Sequence, residues 1–487
     1  MASGRLPRRR TNPWYEPRRS GDCATGRMNL QRIASLRSVG ISGLLGLAAC
    51  NALLGTDVPD TAVLPTEPDA GTDSEREGDR PREDGALSGA DAASPADAAN
   101  DAAVVMLPLD CGDMSGLQAG APWPTGGACN TRVSRAAVRP LVKPKIKWRY
   151  TVLPLVTRPS DEFVSGPTIG ADGTVYASYG QQTEGGLRYF VVAVRDGALR
   201  FRTTDLPPNG CAPSLAADGS IFVSSSGGLH ALTSEGKLRW TYPSGAVWQS
   251  SPTLLPDGTI IVAGPELQAV KPDGTKRWSL PPVGSKFVQS VAVTTTGLLV
   301  VNEAALTGTL EGSVSIVSAE GQRRVNLPLT ARTVLSPLVT DDDTIVVPTW
   351  DAFHAFHISG AVKYFALAQG NNLLSVNAEY SAYAPPIAWF GGFGSDDKLL
   401  GFDVSVGGRK LAKYGDGDLL AAAGDGSLVS VRRSNISEVA VRGLDPDGKE
   451  RWRVELEPTN ADLQPPSLAA DGSVVVAIGR TIYMIGD

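Results

Sequence analysis

Histidine is scarce in this sequence, in which His230, His354 and His357 are the three copies among 487 residues. Few imidazole groups are therefore available for catalysis or metal binding. His354 and His357 are three residues apart in a strand-like run, so their side chains should point to opposite faces, and we expect no metal site there. A glycine-rich phosphate loop and a Gly-x-Ser-x-Gly motif are both missing, so neither a phosphate cradle nor a serine nucleophile is indicated.

Cysteine is also sparse, and its five positions show no Cys-x-x-Cys spacing. Without this spacing, neither a zinc site nor a thioredoxin-like motif is indicated. Cys211 stands at a predicted strand start, where a small buried side chain is expected. The formal net charge of −6 at pH 7 argues against a nucleic-acid partner, which needs a basic face. We therefore expect no metal, no cofactor and no nucleic acid.

A secretory signal is the clearest pattern near the N-terminus. Arg32 and Arg37 precede an apolar run, Val39 to Ala49, whose core of about ten residues is too short to span a bilayer. The Leu-Ala-Ala-Cys sequence that ends at Cys50 resembles the lipobox of bacterial lipoproteins, in which the cysteine after the cleaved bond carries lipid. By this resemblance, residues 28–49 are the signal peptide and Cys50 is lipidated. The alternative is a buried cysteine at the end of a short apolar helix.

Two further features refine this prediction. Residues 1–27 are rich in Arg and Pro without a folding pattern, so we expect them to be an overlong start, with Met28 as the true one. The arginines at 8–10 do not open a twin-arginine motif, because the residues after them do not match it. Asn51 follows the lipobox cysteine, whereas an aspartate there holds many lipoproteins at the inner membrane. The resemblance therefore implies the outer membrane.

Residues 52–108 contain no aromatic residue and are rich in Asp, Ala, Pro, Gly and Thr. Such a segment cannot bury enough apolar surface to offset the entropy cost of ordering. Residues 50–110 are therefore predicted to be the lipidated cysteine and a disordered tether, with a root-mean-square span of about 40 Å. The tether would hold a folded domain off the membrane and leave it free to reorient.

Residues 111–144 form a predicted bridging segment. Cys111 and Cys129 are natural disulfide partners in an oxidising compartment, and closing so short a loop is worth about 3 kcal/mol. Two free thiols are the alternative.

One pattern recurs from residue 145 to the end of the chain. Its clearest copy is residues 212–240, which contain an Asp218-Gly219 turn, a period-2 strand, a Gly-Gly turn, a second strand, and a last strand that ends on Trp240. Asp-Gly and Gly-Gly supply the positive φ that tight hairpins need, so each copy should be a small antiparallel sheet. We place eight copies, the sixth beginning near Pro385-Pro386.

The ends of the repeat array complement each other. The eighth copy begins at Pro465 and lacks a closing strand, whereas Lys145 to Trp148 is a closing strand without a copy. Pairing of Lys145–Val152 with Thr481–Ile485 would close a ring and remove an exposed edge. At about 43 residues per copy, residues 145–487 are predicted to be an all-β, eight-bladed β-propeller, with seven blades as the alternative.

Most copies carry an aromatic residue at one position in the last strand, four residues after the glycine of the turn before that strand where that turn is present. A large flat side chain there can wedge between adjacent sheets, and truncating a buried one to alanine should cost roughly 3–5 kcal/mol. The predicted blade-docking aromatics are Trp148, Phe201, Trp240, Trp278, Tyr364 and Trp452.

The repeat reads ADG-x-V-Y in its first half and DG-K-x-x-W in its second, and it resembles pyrroloquinoline-quinone-type propellers over nearly all of 145–487. The stretch from Trp123 to Gly127 is similar to a Trp and Gly-Gly segment that often precedes them. The resemblance implies the fold and leaves the activity open. Quinone dehydrogenases of this superfamily use adjacent cysteines, a calcium site of Glu and Asn, and a catalytic Asp. Here no two cysteines are adjacent, and none of the other residues falls on a matching motif.

Non-enzymatic members of the superfamily include the propeller lipoprotein of the outer-membrane protein assembly machinery. That protein also has a lipidated cysteine and eight blades. The long acidic tether of residues 52–108 is a departure from it, so its specific role is not carried over.

Two departures from the repeat are candidate sites. The run from Asp341 to Asp343 replaces an Asp-Gly turn, and a solvated turn is favoured over a cation site. The insertion around the sixth copy is rich in aromatic residues, which favour partner surfaces on loops, although packing of an irregular blade is the favoured alternative. The residues of this possible partner patch are Tyr380, Tyr383, Trp389, Phe390 and Phe393.

These patterns predict a membrane-anchored, non-catalytic β-propeller lipoprotein of the bacterial cell envelope. We expect a monomer, held at the membrane by its lipid, that binds another envelope protein or a surface polymer. The alternative function is a quinone- or calcium-dependent oxidoreductase of the quinoprotein type.

Overall fold

The computed structural model describes most of the chain after residue 110. The expectations for the start, the signal peptide, Cys50 and the tether lie outside the described residues, as do those for Tyr380 and Phe393. The described residues are 111–152, 163–183, 186–204, 206–207, 211–245, 250–305, 312–329, 331, 336–349, 352–367, 381–390, 398–404, 410–416, 419–435, 438–459, 461 and 463–487.

All regular structure in these residues is β-strand. The strands of the first half are β1 (Lys145–Thr151), β2 (Phe163–Val164), β3 (Thr168–Ile169), β4 (Val175–Thr183), β5 (Gly186–Arg195), β6 (Ala198–Arg202), β7 (Ser214–Leu215), β8 (Ile221–Ser225), β9 (Gly228–Leu232), β10 (Leu238–Tyr242), β11 (Thr253–Leu254), β12 (Ile260–Val262), β13 (Leu267–Val270), β14 (Lys276–Leu280), β15 (Phe287–Val293), β16 (Leu299–Ala304), β17 (Gly312–Val317) and β18 (Arg323–Leu329).

The strands of the second half follow the same order. They are β19 (Leu338–Val339), β20 (Ile345–Pro348), β21 (Ala352–Phe356), β22 (Val362–Leu367), β23 (Ser381–Ala384), β24 (Ile387–Phe390), β25 (Lys398–Asp403), β26 (Lys410–Asp416), β27 (Leu419–Ala422), β28 (Leu428–Asn435), β29 (Glu438–Leu444), β30 (Glu450–Leu456), β31 (Ser467–Leu468), β32 (Val474–Ile478) and β33 (Thr481–Gly486). No helix of the described residues is long and apolar enough to cross a membrane.

The strands of the described residues form eight antiparallel sheets, one for each copy of the sequence repeat. Sheet 1 contains β3 to β6 with β2 as an extra strand, and sheets 2 to 7 contain four consecutive strands each from β7 to β30. Sheet 8 contains β31, β32, β33 and β1. The all-β propeller predicted from the sequence is therefore confirmed as the fold.

The pairing of the two chain ends is present as predicted. β1 runs antiparallel to β33, with Lys145 opposite Gly486 and Thr151 opposite Thr481. The carboxylate of Asp487 also accepts hydrogen bonds from the backbone N–H groups of Val142 and Lys143. The N-terminal strand thus covers an edge of β33 that would otherwise be open to other chains.

Burial differs by strand position within a sheet. The second and third strands, such as β8 and β9, are buried along their whole length, because neighbouring sheets pack on both faces. Most first strands are short and buried, whereas fourth strands such as β10 and β14 alternate between exposed and half-buried residues. The first strand of a sheet therefore faces the axis of the ring and the fourth forms its outer edge.

Two of the three hairpin turns of a four-stranded sheet lie on one side of the ring, which we call the turn face. The turn that joins the first two strands is called the first turn, and the turn that joins the last two is called the second turn. Ion pairs agree with this placement, because a first-turn aspartate contacts a cation near the start of the outer strand. Lys147 lies 2.9 Å from Asp471 and Lys363 lies 2.8 Å from Asp342. Arg277 and Asp257 form the same pair in sheet 3.

The sixth copy begins earlier than the sequence predicts. Its first strand is β23, and Pro385-Pro386 forms the turn after that strand rather than its start. Proline lacks an N–H to donate to a ladder, so a turn suits the pair better than a strand does.

Four predicted blade-docking aromatics lie against a second-turn glycine of the next sheet. A Cβ at Gly274 would stand 2.8 Å from the ring of Trp240, and one at Gly321 would stand 2.7 Å from that of Trp278. Trp278 also donates from Nε1 to the carbonyl oxygen of Ala319 at 3.0 Å. The other two pairs are Trp148 with Gly197 and Phe201 with Gly236.

The remaining aromatics are placed differently. Trp452 lies against Gly443 of its own sheet, Tyr364 packs partly buried beside Phe353, and Val325 takes the aromatic position in sheet 4. All six aromatics are half-buried, because they lie on the outer edge of the ring. The cost expected for truncating a fully buried ring therefore does not apply in full.

The contact of Trp240 with the next sheet gives a stability prediction. Gly219 and Gly274 have nearly the same φ, +83° and +85°, but a Cβ at Gly219 would meet nothing within 4 Å. We expect Gly219→Ala to cost about 1–2 kcal/mol from its left-handed backbone. Gly274→Ala should cost about 1–3 kcal/mol more, from the overlap with Trp240. Equal unfolding midpoints in urea would contradict the docking role of Trp240.

Candidate functional site

Residues 122–138, here called the axial segment, fill the axis of the ring. The sequence predicts a bridging segment here, but nearly all of these residues are buried. Among the described residues, the first strands of six sheets each donate a backbone N–H hydrogen bond to a carbonyl oxygen of this segment. These pairs are Ile169 to Trp123, Leu215 to Pro124, Val293 to Asn130, Val339 to Thr131, Tyr383 to Val133 and Ala422 to Ser134, at 2.8–3.0 Å.

Arg132 ties the axial segment to sheets 3 and 4. Its Nη2 donates to the carbonyl oxygen of Ser251 at 3.1 Å and to Oγ1 of Thr253 at 2.9 Å, and its Nε donates to the carbonyl oxygen of Val291 at 3.2 Å. Its Nη1 donates to the carbonyl oxygen of Gly126. The residue is 4% exposed. A guanidinium has five N–H donors in a planar fork, which suits this set of acceptors on several sides.

Residues 111–120 run over the turn face before the chain enters the axis. A Cβ at Gly112 would meet Thr295 of sheet 4, one at Gly116 would overlap the carbonyl oxygen of Leu255 in sheet 3, and Leu117 bridges to Ala216 in sheet 2. The structure joins Cys111 and Cys129 by a disulfide, with their Cα atoms 5.8 Å apart. This bond connects the start of residues 111–120 to the middle of the axial segment.

The axial segment holds its carbonyls in place with an unusual backbone. Ala128, Arg132 and Ser134 have positive φ values of 69°, 61° and 46°. A left-handed conformation costs such residues roughly 1–2 kcal/mol each. The surrounding hydrogen bonds offset that cost, among them one from the N–H of Ser134 to the carbonyl oxygen of Gly127 at 3.0 Å.

Sequence reasoning missed Asn130, Thr131 and Arg132 as structural residues of the axis. One signal was available, because residues 115–131 contain no charged side chain. An exposed bridge would be more polar, so this stretch indicates burial. The hydrogen-bond partners of these residues could not be predicted from the sequence, since they belong to different sheets.

The possible partner patch is divided by the structure. Tyr383 and Trp389 are 5% and 1% exposed, so both pack in the irregular sixth sheet instead of forming a surface. The side chain of Phe390 lies outside the described residues. The guanidinium of Arg135 lies 5.9 Å from the centre of the Tyr383 ring. Burial lowers the pKa of Arg135, and burial followed by the charges of Asp341 and Asp342 raises that of Tyr383.

The run Asp341–Asp343 forms the first turn of sheet 5. Asp342 accepts hydrogen bonds from Thr340, Thr344 and Lys363. Burial alone would raise its pKa, but these hydrogen bonds outweigh burial and lower it. Asp343 takes the glycine position, with a φ of 56°, and is buried rather than solvated. Its Oδ1 accepts the N–H of Thr295 at 2.7 Å, which links sheets 4 and 5.

A buried carboxylate in sheet 4 is also fully engaged. Glu303 is 0% exposed and lies 2.8 Å from Nη2 of Arg323. Ser313 donates to it at 3.0 Å, and the N–H of Val283 donates at 3.3 Å. Arg323 reaches the carbonyl oxygen of Pro281 as well. This cluster fastens the connection between sheets 3 and 4, a structural use for the carboxylate.

His230 is buried inside sheet 2, and the other histidines are separated as predicted. Its Nε2 lies 2.7 Å from Oγ of Ser225 and its Nδ1 lies 3.0 Å from Oγ1 of Thr241. Burial lowers its pKa from 6.5 to about 4. His354 is buried and His357 is exposed.

The shifted pKa of His230 predicts a pH dependence of stability. Between pH 6.5 and pH 4 the unfolded chain binds a proton at this residue and the folded chain does not. Stability should therefore be full above pH 6.5 and fall as the pH decreases, by about 2–3 kcal/mol between pH 7 and 4.5. His230→Gln should remove most of this slope in urea titrations, whereas His357→Gln should keep it. An unchanged slope in His230→Gln would refute the assignment.

The quinone site of the superfamily does not fit this chain. The chain has no adjacent cysteines, and the axis is filled by residues 122–138. Among the described residues no group of three His, Cys, Asp or Glu side chains could hold a metal ion.

Comparison with protein families agrees with the repeat structure. Residues 190–391 match the family described as outer membrane protein assembly factor BamB. The match supports a PQQ-like β-propeller for this part of the chain. The match spans parts of sheets 1 to 6 of the propeller, and the axial segment lies outside it. A search of curated proteins found no significant match.

Solved structures similar to this propeller share little sequence with it. The computationally designed Ika8 protein is 12% identical, with a TM-score of 0.49 over 69% of this chain and 99% of that one. A virginiamycin B lyase from Staphylococcus aureus is 14% identical, with a TM-score of 0.42 over 71% of this chain and 100% of that one. BamB from Moraxella catarrhalis is 14% identical, with a TM-score of 0.38 over 56% and 93%.

Proposed function

We propose that this chain is a membrane-anchored, non-catalytic propeller scaffold of the cell envelope that binds another envelope protein or a surface polymer. The observation that carries the proposal is the filled axis. The inner strands of six sheets use backbone N–H groups to hold residues of the axial segment. Those groups would otherwise be available to a ligand on the axis.

The position of the family match and the N-terminal sequence support the same function. The matched family is named for assembly of outer membrane proteins. The lipobox-like sequence at Cys50 provides an anchor for an envelope protein, and the tether allows the propeller to meet partners at a distance from the membrane.

Two measurements test the proposal. Palmitate labelling should mark the parent chain and disappear in Cys50→Ser. Crosslinking in whole envelopes should recover a specific partner with the parent chain. Absence of labelling would refute the anchor, and a pull-down without a specific partner would refute the scaffold.

The oxidoreductase alternative has its own test. We expect titration of the purified chain with pyrroloquinoline quinone, with and without calcium, to give no saturable binding. Saturable, calcium-dependent binding would replace the scaffold function with the oxidoreductase.

A further inference from the structure

The exposed large apolar side chains share one place in the fold. Among the described residues they are Val142, Ile146, Leu199, Leu238 and Val362, each between 39% and 65% exposed. Leu199, Leu238 and Val362 each come two residues after a second-turn glycine. Ile146 is the second residue of β1, and Val142 lies just before that strand. All five therefore lie at the turn-face end of the outer strands, and we call them the rim residues.

Four rim residues belong to neighbouring sheets. Val142 and Ile146 precede or begin the outer strand of sheet 8, and Leu199 and Leu238 begin those of sheets 1 and 2. These sheets are adjacent in the ring, since Trp148 packs on Gly197 and Phe201 packs on Gly236. Single exposed apolar residues are common on protein surfaces. Their repetition at one level of three adjacent sheets instead describes an apolar arc.

The chain leaves the propeller on the same face. Gly112 lies against Thr295, in the first turn of sheet 4. Cys111, the first described residue, therefore lies at the turn face, and the sequence between it and Cys50, the predicted lipidated residue, is the predicted tether. The end of the described chain and the rim residues therefore share the turn face.

Charged residues next to the arc also suit a lipid surface. Lys145, Arg200 and Lys237 are exposed and directly adjoin Ile146, Leu199 and Leu238. Their stems can lie along the apolar layer while the charged ends reach lipid phosphates. Asp196 and Glu235 in the second turns nearly balance these charges. Contact should therefore depend mainly on the apolar side chains and persist at high salt.

We propose that the rim residues of sheets 8, 1 and 2 rest on the bilayer that holds the lipid anchor, so that the propeller presents its opposite face to partners. This proposal rests on the lipid anchor of the proposed function. It adds a fixed orientation, whereas a tether alone would leave the propeller free to turn.

The test compares two positions on one strand. Ile146 and Thr151 are both exposed residues of β1, five residues or about 17 Å apart, with Ile146 at the turn face. In a Cys211→Ser background, Ile146→Cys and Thr151→Cys are each labelled with a fluorophore. The full lipidated chains are placed in vesicles of phosphatidylcholine with a minor fraction of phosphatidylglycerol. Nitroxide lipids in the vesicles then quench labels that lie near the bilayer.

We expect the label at residue 146 to be quenched at least about threefold more than that at residue 151, because quenching falls steeply over such a distance. Adding Leu199→Ser and Leu238→Ser should remove the difference, whereas Lys276→Ser, at the same register in sheet 3, should preserve it. Equal quenching at the two positions, or a difference unaffected by the serine substitutions, would overturn the rim proposal. Chains that fail to associate with vesicles would instead show that the lipid anchor is absent, and the proposal would fall with it.

Discussion

We expect Arg132→Met to lower the free energy of unfolding by about 3–5 kcal/mol. The arginine donates hydrogen bonds to the carbonyl oxygens of Ser251 and Val291 and to the hydroxyl of Thr253, all in buried surroundings. Methionine fills part of the volume but donates nothing, so these acceptors lose their partners without gaining water. The loss should appear as a lower urea midpoint with an unchanged slope, measured by circular dichroism.

Arg139→Met is the matched control for this substitution. Arg139 lies just beyond the axial segment and is exposed, so the same change of side chain should alter stability by less than about 0.5 kcal/mol. If the two variants unfold at the same urea concentration, the axial segment does not stabilise the ring through Arg132. A large effect of Arg132→Met alone would locate the stabilising contacts inside the axis.

Deleting residues 133–152 should abolish cooperative unfolding and cause aggregation. The deletion removes β1, which pairs with β33 over its whole length, and two axial carbonyls that accept from Tyr383 and Ala422. An open edge at β33 would expose backbone groups to other chains. The loss exceeds about 5 kcal/mol, which is comparable to the net stability of many domains. Size-exclusion chromatography and thermal scans measure both effects.

Deleting residues 52–108 provides the comparison. The composition of this segment predicts a tether without a core, so its removal should leave the melting temperature within about 2 °C of the parent value. A variant without residues 133–152 that melts like the parent chain would refute the closing strand. A tether deletion that unfolds the propeller would refute the tether.

The repeat was readable because its signals are local. Asp-Gly turns such as Asp218-Gly219 and the alternating strands between them depend on residues close in sequence. The strand at Lys145 belongs to no copy, and the last copy lacks a closing strand. The pairing of β1 with β33 could therefore be predicted. The sixth copy was misplaced because its Pro385-Pro386 pair marks a turn, and a proline pair shows where a strand stops more clearly than where one starts.

The contacts of the axial segment could not be predicted from the sequence, because they join residues far apart in the chain. Asn130 contacts Leu254 through its side chain and Val293 through its carbonyl oxygen. Irregular backbone such as that of Arg132, with its positive φ, has no period that a sequence pattern can report. The aromatic cluster of the sixth copy differs, since packing of an irregular blade is the interpretation favoured by the sequence and Trp389 is 1% exposed in the sixth sheet.

The sequence by itself determined the all-β repeat, the number of residues in each copy and the closing role of β1, since turns and strand periods are set by neighbouring residues. Tertiary structure alone decided that residues 122–138 fill the axis and that the exposed rim residues lie on one face. Both depend on the curvature of the ring, which brings eight first strands together at the centre and aligns the ends of the outer strands at the edge. That curvature arises from packing between sheets, and no single copy of the repeat contains it.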